Sequence, residues 1–153
     1  MVAFRELTVS ALLALTGAAG GFTGREGPST PDAASIDIAV SGVERSAGRV
    51  VVAICTPDSF TRETCPFRAS APATRGTTQV TVAGVPPGTY AAQAYWDANG
   101  NGKADRNFAG LPTELVGFSR NHKVGMSRPR FEGSAFTHSA KGSALAITLR
   151  TIP

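Results

Sequence analysis

The chain has 153 residues and a formal net charge of +4, with 42% hydrophobic and 17% charged residues. Once its N-terminal segments are set aside, this length suits one ordinary domain with a single core. The basic residues are scattered and no nucleic-acid-binding motif accompanies them. We therefore expect a solvated basic surface and no nucleic-acid partner.

Residues 1–19 have the pattern of a signal peptide. Arg5 precedes an apolar stretch, and the small residues Gly17 and Ala19 fit the spacing of a signal-peptidase site. The stretch is shorter than the roughly 20 residues that a membrane-spanning helix needs. The pattern predicts a periplasmic or secreted protein whose mature chain has no transmembrane segment.

Residues 20–35 are rich in Gly, Pro, Ser, Thr and Ala and show no apolar periodicity. This composition predicts a flexible linker. Residues 36–153 then form the folded domain.

Within that domain, short runs of alternating apolar residues predict strands. They lie at 36–41, 50–54, 79–82, 90–96 and 145–150, with a weaker one at 130–137 around Phe131 and Phe136. Alternation turns Tyr90 and Trp96 toward the core. Turns rich in Gly and Pro separate the runs, and no helical period is sustained outside the signal peptide. The pattern predicts an all-β fold, an antiparallel β-sandwich with one long irregular loop beginning at Asp97.

The two cysteines, Cys55 and Cys65, make one possible pair. In an oxidising compartment a disulfide bond is the default for such a pair, and two isolated thiols are the alternative.

The start of the long loop reads DANGNGKAD over residues 97–105. Side-chain oxygens recur at alternate positions, on Asp97, Asn99, Asn101 and Asp105. Gly102 occupies the sixth position, where a calcium loop needs a glycine for its sharp turn, and Lys103 offers its backbone carbonyl. The spacing predicts calcium as a cofactor, with Glu114 folding back to complete the ligand shell.

A second interpretation of this loop stays open. Phe108 stands at position 12, where an EF-hand loop has a bidentate glutamate. Without an ion, the Asn and Asp side chains accept hydrogen bonds from nearby backbone amides as Asx turns.

Two possible catalytic arrangements can be written from the sequence. Asp105 and Glu114 are candidates for general acid and base. Ser119, His122 and Asp105 can be written as a triad, but no strand–turn–helix pattern orients them. We expect Ser119 instead to bond the backbone, as Asn121 does, with Phe118 tucked beneath the loop.

Five motifs occur in a specific order: VPPGTYA (85–91), DANGNGK (97–103), GLPTE (110–114), GFSRN (117–121) and FE (131–132). This order resembles the exported bacterial domain-of-unknown-function family 2141, over roughly residues 36–149. The resemblance implies a secreted β-sandwich of immunoglobulin-like or transthyretin-like type. It implies no activity, because the family is named for lacking one.

These observations favour an exported binding or structural module with a calcium-organised loop and no catalytic residues. Its partner is unknown, with an envelope protein or a polysaccharide as candidates. Tyr95 and Phe108, if exposed beside the loop, would offer sugars a stacking platform. The alternative is a hydrolase of an envelope polymer that uses carboxylates near residues 105–114.

Overall fold

A computed structural model describes residues 32–125 and 127–152. The predicted signal peptide and residues 20–31 of the predicted linker lie outside this range. The strands are β1 (Ala34–Val43), β2 (Arg49–Cys55), β3 (Phe67–Pro72), β4 (Gly76–Val85), β5 (Gly88–Asp97), β6 (Val116–Phe118), β7 (Ala135–His138) and β8 (Ser143–Thr148). A 3-10 turn at Ser119–Asn121 and the short helix α1 (Phe131–Ser134) complete the described elements. Strand β1 thus begins at Ala34, inside the range expected to be linker.

The strands form two sheets that pack face to face, which confirms the predicted β-sandwich. The three-stranded sheet has the order β4-β1-β8, and the larger one has the order β3-β2-β5-β6. Strand β7 pairs with the first half of β5, and β6 pairs with its second half. Within the described range, no helix is long and apolar enough to cross a membrane.

One strand pair departs from the antiparallel expectation. Strand β8 runs parallel to β1, starting with Ser143 opposite Ile36. A short turn after His138 carries the chain from β7 into the other sheet, so that β8 enters at the end where β1 also begins. The weak strand predicted at 130–137 also differs, because its first half forms helix α1 and strand β7 begins at Ala135.

The inward faces of both sheets form the main core, as the alternation predicted. Its buried members include Ile36, Ile38, Val40, Val50, Val52, Ile54, Val80, Val82, Ile147 and Leu149. Trp96 is buried there and donates its indole N–H to the Ala47 carbonyl at 2.8 Å. Tyr90 donates its hydroxyl to the Pro86 carbonyl at 3.1 Å. Both predicted core assignments are confirmed, and each polar atom has the partner that burial requires.

A second apolar cluster lies on the outer face of the larger sheet. It contains Val51, Ala53, Cys55, Phe60, Ala91, Tyr95, Val116 and Phe118. Strand β2 is apolar on both faces because its outer face is covered by loops rather than by water. These loops, together with the outer sheet face, position the candidate site.

Candidate ligand cleft and the 97–105 loop

Asp97 anchors the start of the long loop. It is the last residue of β5, pairs with Arg49 across the sheet, and is almost completely buried. Its Oδ1 accepts the backbone N–H groups of Gly100 at 2.7 Å and Asn101 at 3.1 Å, and its Oδ2 accepts that of Gly102 at 2.8 Å. Hydrogen bonds to a charged acceptor are stronger than neutral ones, so this carboxylate fixes the turn.

The next polar side chains of the loop gather around Asp105. Asn99 donates its amide group to Asp105 Oδ2 at 2.7 Å. Asn101 donates to both oxygens of the same carboxylate, at 2.8 and 2.9 Å. The hydrogen bonds from Asn101 and then Asn99 lower the pKa of Asp105 below its ordinary value. Three of the predicted ligand residues therefore form one hydrogen-bonded group.

The amide oxygens of this group point to the backbone. Asn99 Oδ1 accepts the N–H of Asn101 at 3.1 Å, and Asn101 Oδ1 accepts that of Lys103 at 2.9 Å. These contacts are the Asx turns of the second interpretation. The described residues contain no group of three His, Cys, Asp or Glu side chains that could hold a metal ion. A cation beside Asp105 would require both amides to turn their oxygens inward.

Glu114 lies next to the loop, as expected. Its Oε2 accepts the backbone N–H of Asp105 at 3.3 Å. Burial raises the pKa of Glu114 above its ordinary value, against the lowering effect of that hydrogen bond. The nearby charges of Asp97 and Asp105 raise the pKa further. The two acids are adjacent, but they are engaged by the loop itself.

A cleft of about 670 Å³ opens beside the loop, on the outer face of the larger sheet. Its floor consists of sheet residues from β2, β5 and β6: Ala53, Gln93, Tyr95, Val116 and Phe118. Its walls come from residues 61–63, 102–104, 109–112, 124–125 and 127–129, with Cys65, Arg68, Arg106 and Ile152. Neither Asp105 nor Glu114 lines it. A cavity built by loops on a rigid sheet is a common design of ligand sites.

Tyr95 joins the cleft floor to the loop. Its hydroxyl accepts a hydrogen bond from Arg68 Nη2 and donates one to the Gly102 carbonyl at 3.3 Å. Burial raises the pKa of this hydroxyl above its ordinary value, although Arg68 opposes the shift. Tyr95 is largely buried whereas Phe108 is fully exposed, so the two do not form the exposed stacking platform considered from the sequence.

The cysteine pair closes one wall of the cleft. The sulfur atoms of Cys55 and Cys65 lie 2.04 Å apart, which is disulfide distance and agrees with the predicted pairing. Cys55 ends β2 in the sheet, whereas Cys65 lines the cleft. Phe60, inside the enclosed segment, contacts the Phe118 ring edge-on with centroids 5.7 Å apart.

The GFSRN motif has a structural role. Ser119 is fully buried, and its hydroxyl accepts the backbone N–H of Ala92 at 2.9 Å and donates to the Ser134 carbonyl. Asn121 accepts the backbone N–H of Thr148 at 2.8 Å, and Phe118 is buried. The predicted backbone bonding is confirmed, and a buried serine held this way does not resemble an exposed nucleophile.

The sequence model of the family DUF2141, described as an uncharacterized protein conserved in bacteria, matches residues 38–145. The chain belongs to this family. The match runs from within β1 to within β8, and so includes the 97–105 loop of the DUF2141 domain and every residue of the cleft lining except Ile152. Neither a curated protein nor a solved structure matches the chain.

The cations around the cleft were missed from the sequence. They are Arg62, Arg68, Lys103, Arg106 and Arg128. They come from separate segments of the chain, and the sequence alone therefore predicts solvated surface charge. The one available signal is the alternation of Arg68 with Phe67 and Ala69, which places the arginine on the outer sheet face.

Proposed function

We propose that this DUF2141 domain is an exported β-sandwich module that binds a ligand in the cleft beside the 97–105 loop and performs no catalysis. The cleft carries this proposal. Its volume of about 670 Å³ falls within the ~300–1,000 Å³ typical of ligand pockets. The signal-peptide pattern and the Cys55–Cys65 pair support export to an oxidising compartment.

Calcium is the cofactor that we propose for the loop. The alternate spacing of oxygen side chains supports this, as do the positive φ angles of Gly100 and Gly102 (74° and 77°), which permit tight turning. Bound calcium would replace the amide N–H groups of Asn99 and Asn101 that now donate hydrogen bonds to Asp105. An ordered loop then holds Gly102, Lys103 and Ala104 in place as one wall of the cleft.

Thermal unfolding of EDTA-treated protein with and without 10 mM CaCl₂ tests this role. At ten times its dissociation constant, calcium stabilises the fold by about 1.4 kcal/mol and raises the melting temperature. Magnesium is expected to do less, because it requires a tighter octahedron. Asp105→Asn should abolish most of the rise, whereas Asp58→Asn, which removes an exposed carboxylate outside the loop, should preserve it. No rise, or an equal rise in both variants, would refute calcium binding here.

The hydrolase alternative receives less support. Asp105 and Glu114 do not line the cleft. The Glu114 carboxyl group instead accepts a hydrogen bond from the backbone N–H of Asp105. A general acid must reach the leaving atom within hydrogen-bond distance. We expect no turnover of envelope polysaccharides, and turnover that is lost in Glu114→Gln would instead establish the hydrolase.

A further inference from the structure

We infer that the cleft binds a small amphiphilic anion, in which a carboxylate, phosphate or sulfonate group is joined to an apolar body. This inference rests on the proposed binding function and specifies its ligand class. The cleft lining contains five cationic side chains, named above, and one carboxylate, that of Glu63. Such an excess of one charge sign in a cleft concentrates ligands of the opposite sign.

Arg68 is the central cation of the cleft. In the sheet register it lies opposite Ala53, and Ala53 in turn lies opposite Gln93. Because alanine is small, the Arg68 side chain can extend across it to the Tyr95 hydroxyl, with its Cζ 5.7 Å from the centre of the Tyr95 ring. Tyr95 therefore orients the guanidinium group over the cleft floor.

Two arginines of the cleft donate hydrogen bonds to uncharged acceptors. Arg68 donates to the Tyr95 hydroxyl, and Arg106 Nη1 donates to the Gly110 carbonyl at 3.0 Å. Neither hydrogen bond neutralises a positive charge, and a guanidinium group has five N–H donors. Each arginine thus keeps donors that suit the oxygens of an acidic group.

Apart from Gln93 and the Tyr95 hydroxyl, the floor between these cations is apolar. Val116 and Phe118 are buried in it, and the exposed Leu111 contributes to the wall. An inorganic anion would leave this apolar surface uncovered, whereas a ligand with an aromatic or aliphatic body covers it and gains from its burial. The combination of cations and apolar floor selects the amphiphilic anion.

Two dyes that share one aromatic body test the inference. 8-Anilino-1-naphthalenesulfonate carries an anionic group, and N-phenyl-1-naphthylamine is the same ring system without it. Fluorescence titration of the folded protein in EDTA should show one site for the sulfonate and weaker binding of the neutral dye. Equal affinity for the two dyes, or no saturable binding of the sulfonate, would overturn the inference.

Charge variants locate the site. Arg68→Gln and Arg106→Gln should each weaken sulfonate binding about tenfold, because each removes a charge-assisted hydrogen bond to the sulfonate. Arg75→Gln is the matched control, because it removes the same charge from an exposed turn outside the cleft. Ala53→Leu should exclude both dyes by filling the floor. Affinities as high in the Arg68 and Arg106 variants as in Arg75→Gln would contradict the assignment.

Competition identifies the acidic group. Decanoate and decyl phosphate should each displace the sulfonate dye, and the stronger competitor shows which group the cleft prefers; failure of both would overturn the inference. Because these titrations contain EDTA, they are independent of calcium. Anion binding without a calcium response leaves the cleft assignment standing and removes only the proposed cofactor.

Discussion

Gly48 and Asp97 approach each other so closely that a Cβ atom on Gly48 would clash with the Asp97 carbonyl oxygen. Gly48 precedes β2, and Asp97 ends β5, the neighbouring strand. The missing side chain lets the chain before β2 pass directly beside the first residue of the 97–105 loop. The position of Asp97, and through its carboxylate that of the whole turn, therefore depends on a glycine 49 residues earlier in the sequence.

Substitution of this glycine should destabilise the fold. Gly48 has φ +70°, a left-handed conformation that costs a residue with a side chain about 1–2 kcal/mol. Gly84→Ala is a matched control, since Gly84 has φ +71° but open space around it. Urea unfolding should show a clearly larger loss of unfolding free energy for Gly48→Ala than for Gly84→Ala. The reason is that the new methyl group at position 48 also pushes against the backbone of Asp97 and Ala98. Similar losses in the two variants would contradict this prediction, because they would show that the backbone around Asp97 moves aside at little cost.

Trp96 is the only tryptophan of the chain and is buried in the main core. Trp96→Ala should destabilise the protein by about 3–5 kcal/mol through the cavity that it leaves. Trp96→Phe retains most of the packing but loses the hydrogen bond to Ala47, and should cost less. Urea unfolding followed by circular dichroism measures both, and the parent should show the blue-shifted emission of a buried indole. A near-neutral Trp96→Ala would contradict this burial.

Alternation along the chain predicted the strands whose two faces differ clearly. In β1, Ile36, Ile38 and Val40 face the core, and the same holds for Tyr90 and Trp96 in β5. Strand β3 escaped prediction because its inward residues include alanines, which give little apolar contrast to the intervening Arg68 and Ser70. The three-residue β6 was missed because it is too short to show a period. The parallel β1–β8 pair depends on where the chain crosses between the sheets, which local pattern does not encode.

The candidate site, like the fold, could be predicted only in part from the sequence. The spacing of the loop predicted its tight turns and the proximity of Asn99, Asn101 and Asp105, because these contacts are local in sequence. The direction of each amide group is set in three dimensions and could not be predicted. The cleft was also missed, since its cations come from separate loops and from β3, and only the outer sheet face brings them together.

The Cys55–Cys65 bond should contribute about 2–3 kcal/mol to stability, because it closes a short loop in the unfolded chain. The double variant Cys55→Ala, Cys65→Ala is expected to lose that amount, and reductant should lower the melting temperature of the parent but not of the variant. Mass spectrometry of exported protein should show a chain beginning after Ala19, lighter than the dithiol form by two hydrogen atoms. Free thiols in native material would disprove the bond.

Glu114 and Asp105 have pKa values displaced in opposite directions. Burial raises the pKa of Glu114 above 4.5, and the Asn101 and Asn99 hydrogen bonds lower that of Asp105 below 3.8. A carboxyl group with a raised pKa in the folded state favours folding while protonated, and this contribution is lost as the pH rises through the folded pKa. A group with a lowered pKa contributes above its unfolded pKa and loses that contribution as the pH falls.

Urea unfolding between pH 3 and pH 7, with EDTA present, separates the two acids. Relative to the parent, Glu114→Gln should gain stability as the pH rises above about 4.5, since it keeps a neutral side chain where the parent must bury a charge. Asp105→Asn should lose stability relative to the parent as the pH rises toward about 3.8, since only the parent gains a carboxylate that the two asparagines bind. Asp58→Asn again controls for removal of a surface charge. If the stabilities of Glu114→Gln and Asp105→Asn, each relative to the parent, changed in the same direction with rising pH, the opposed environments described for the two carboxyl groups would be wrong.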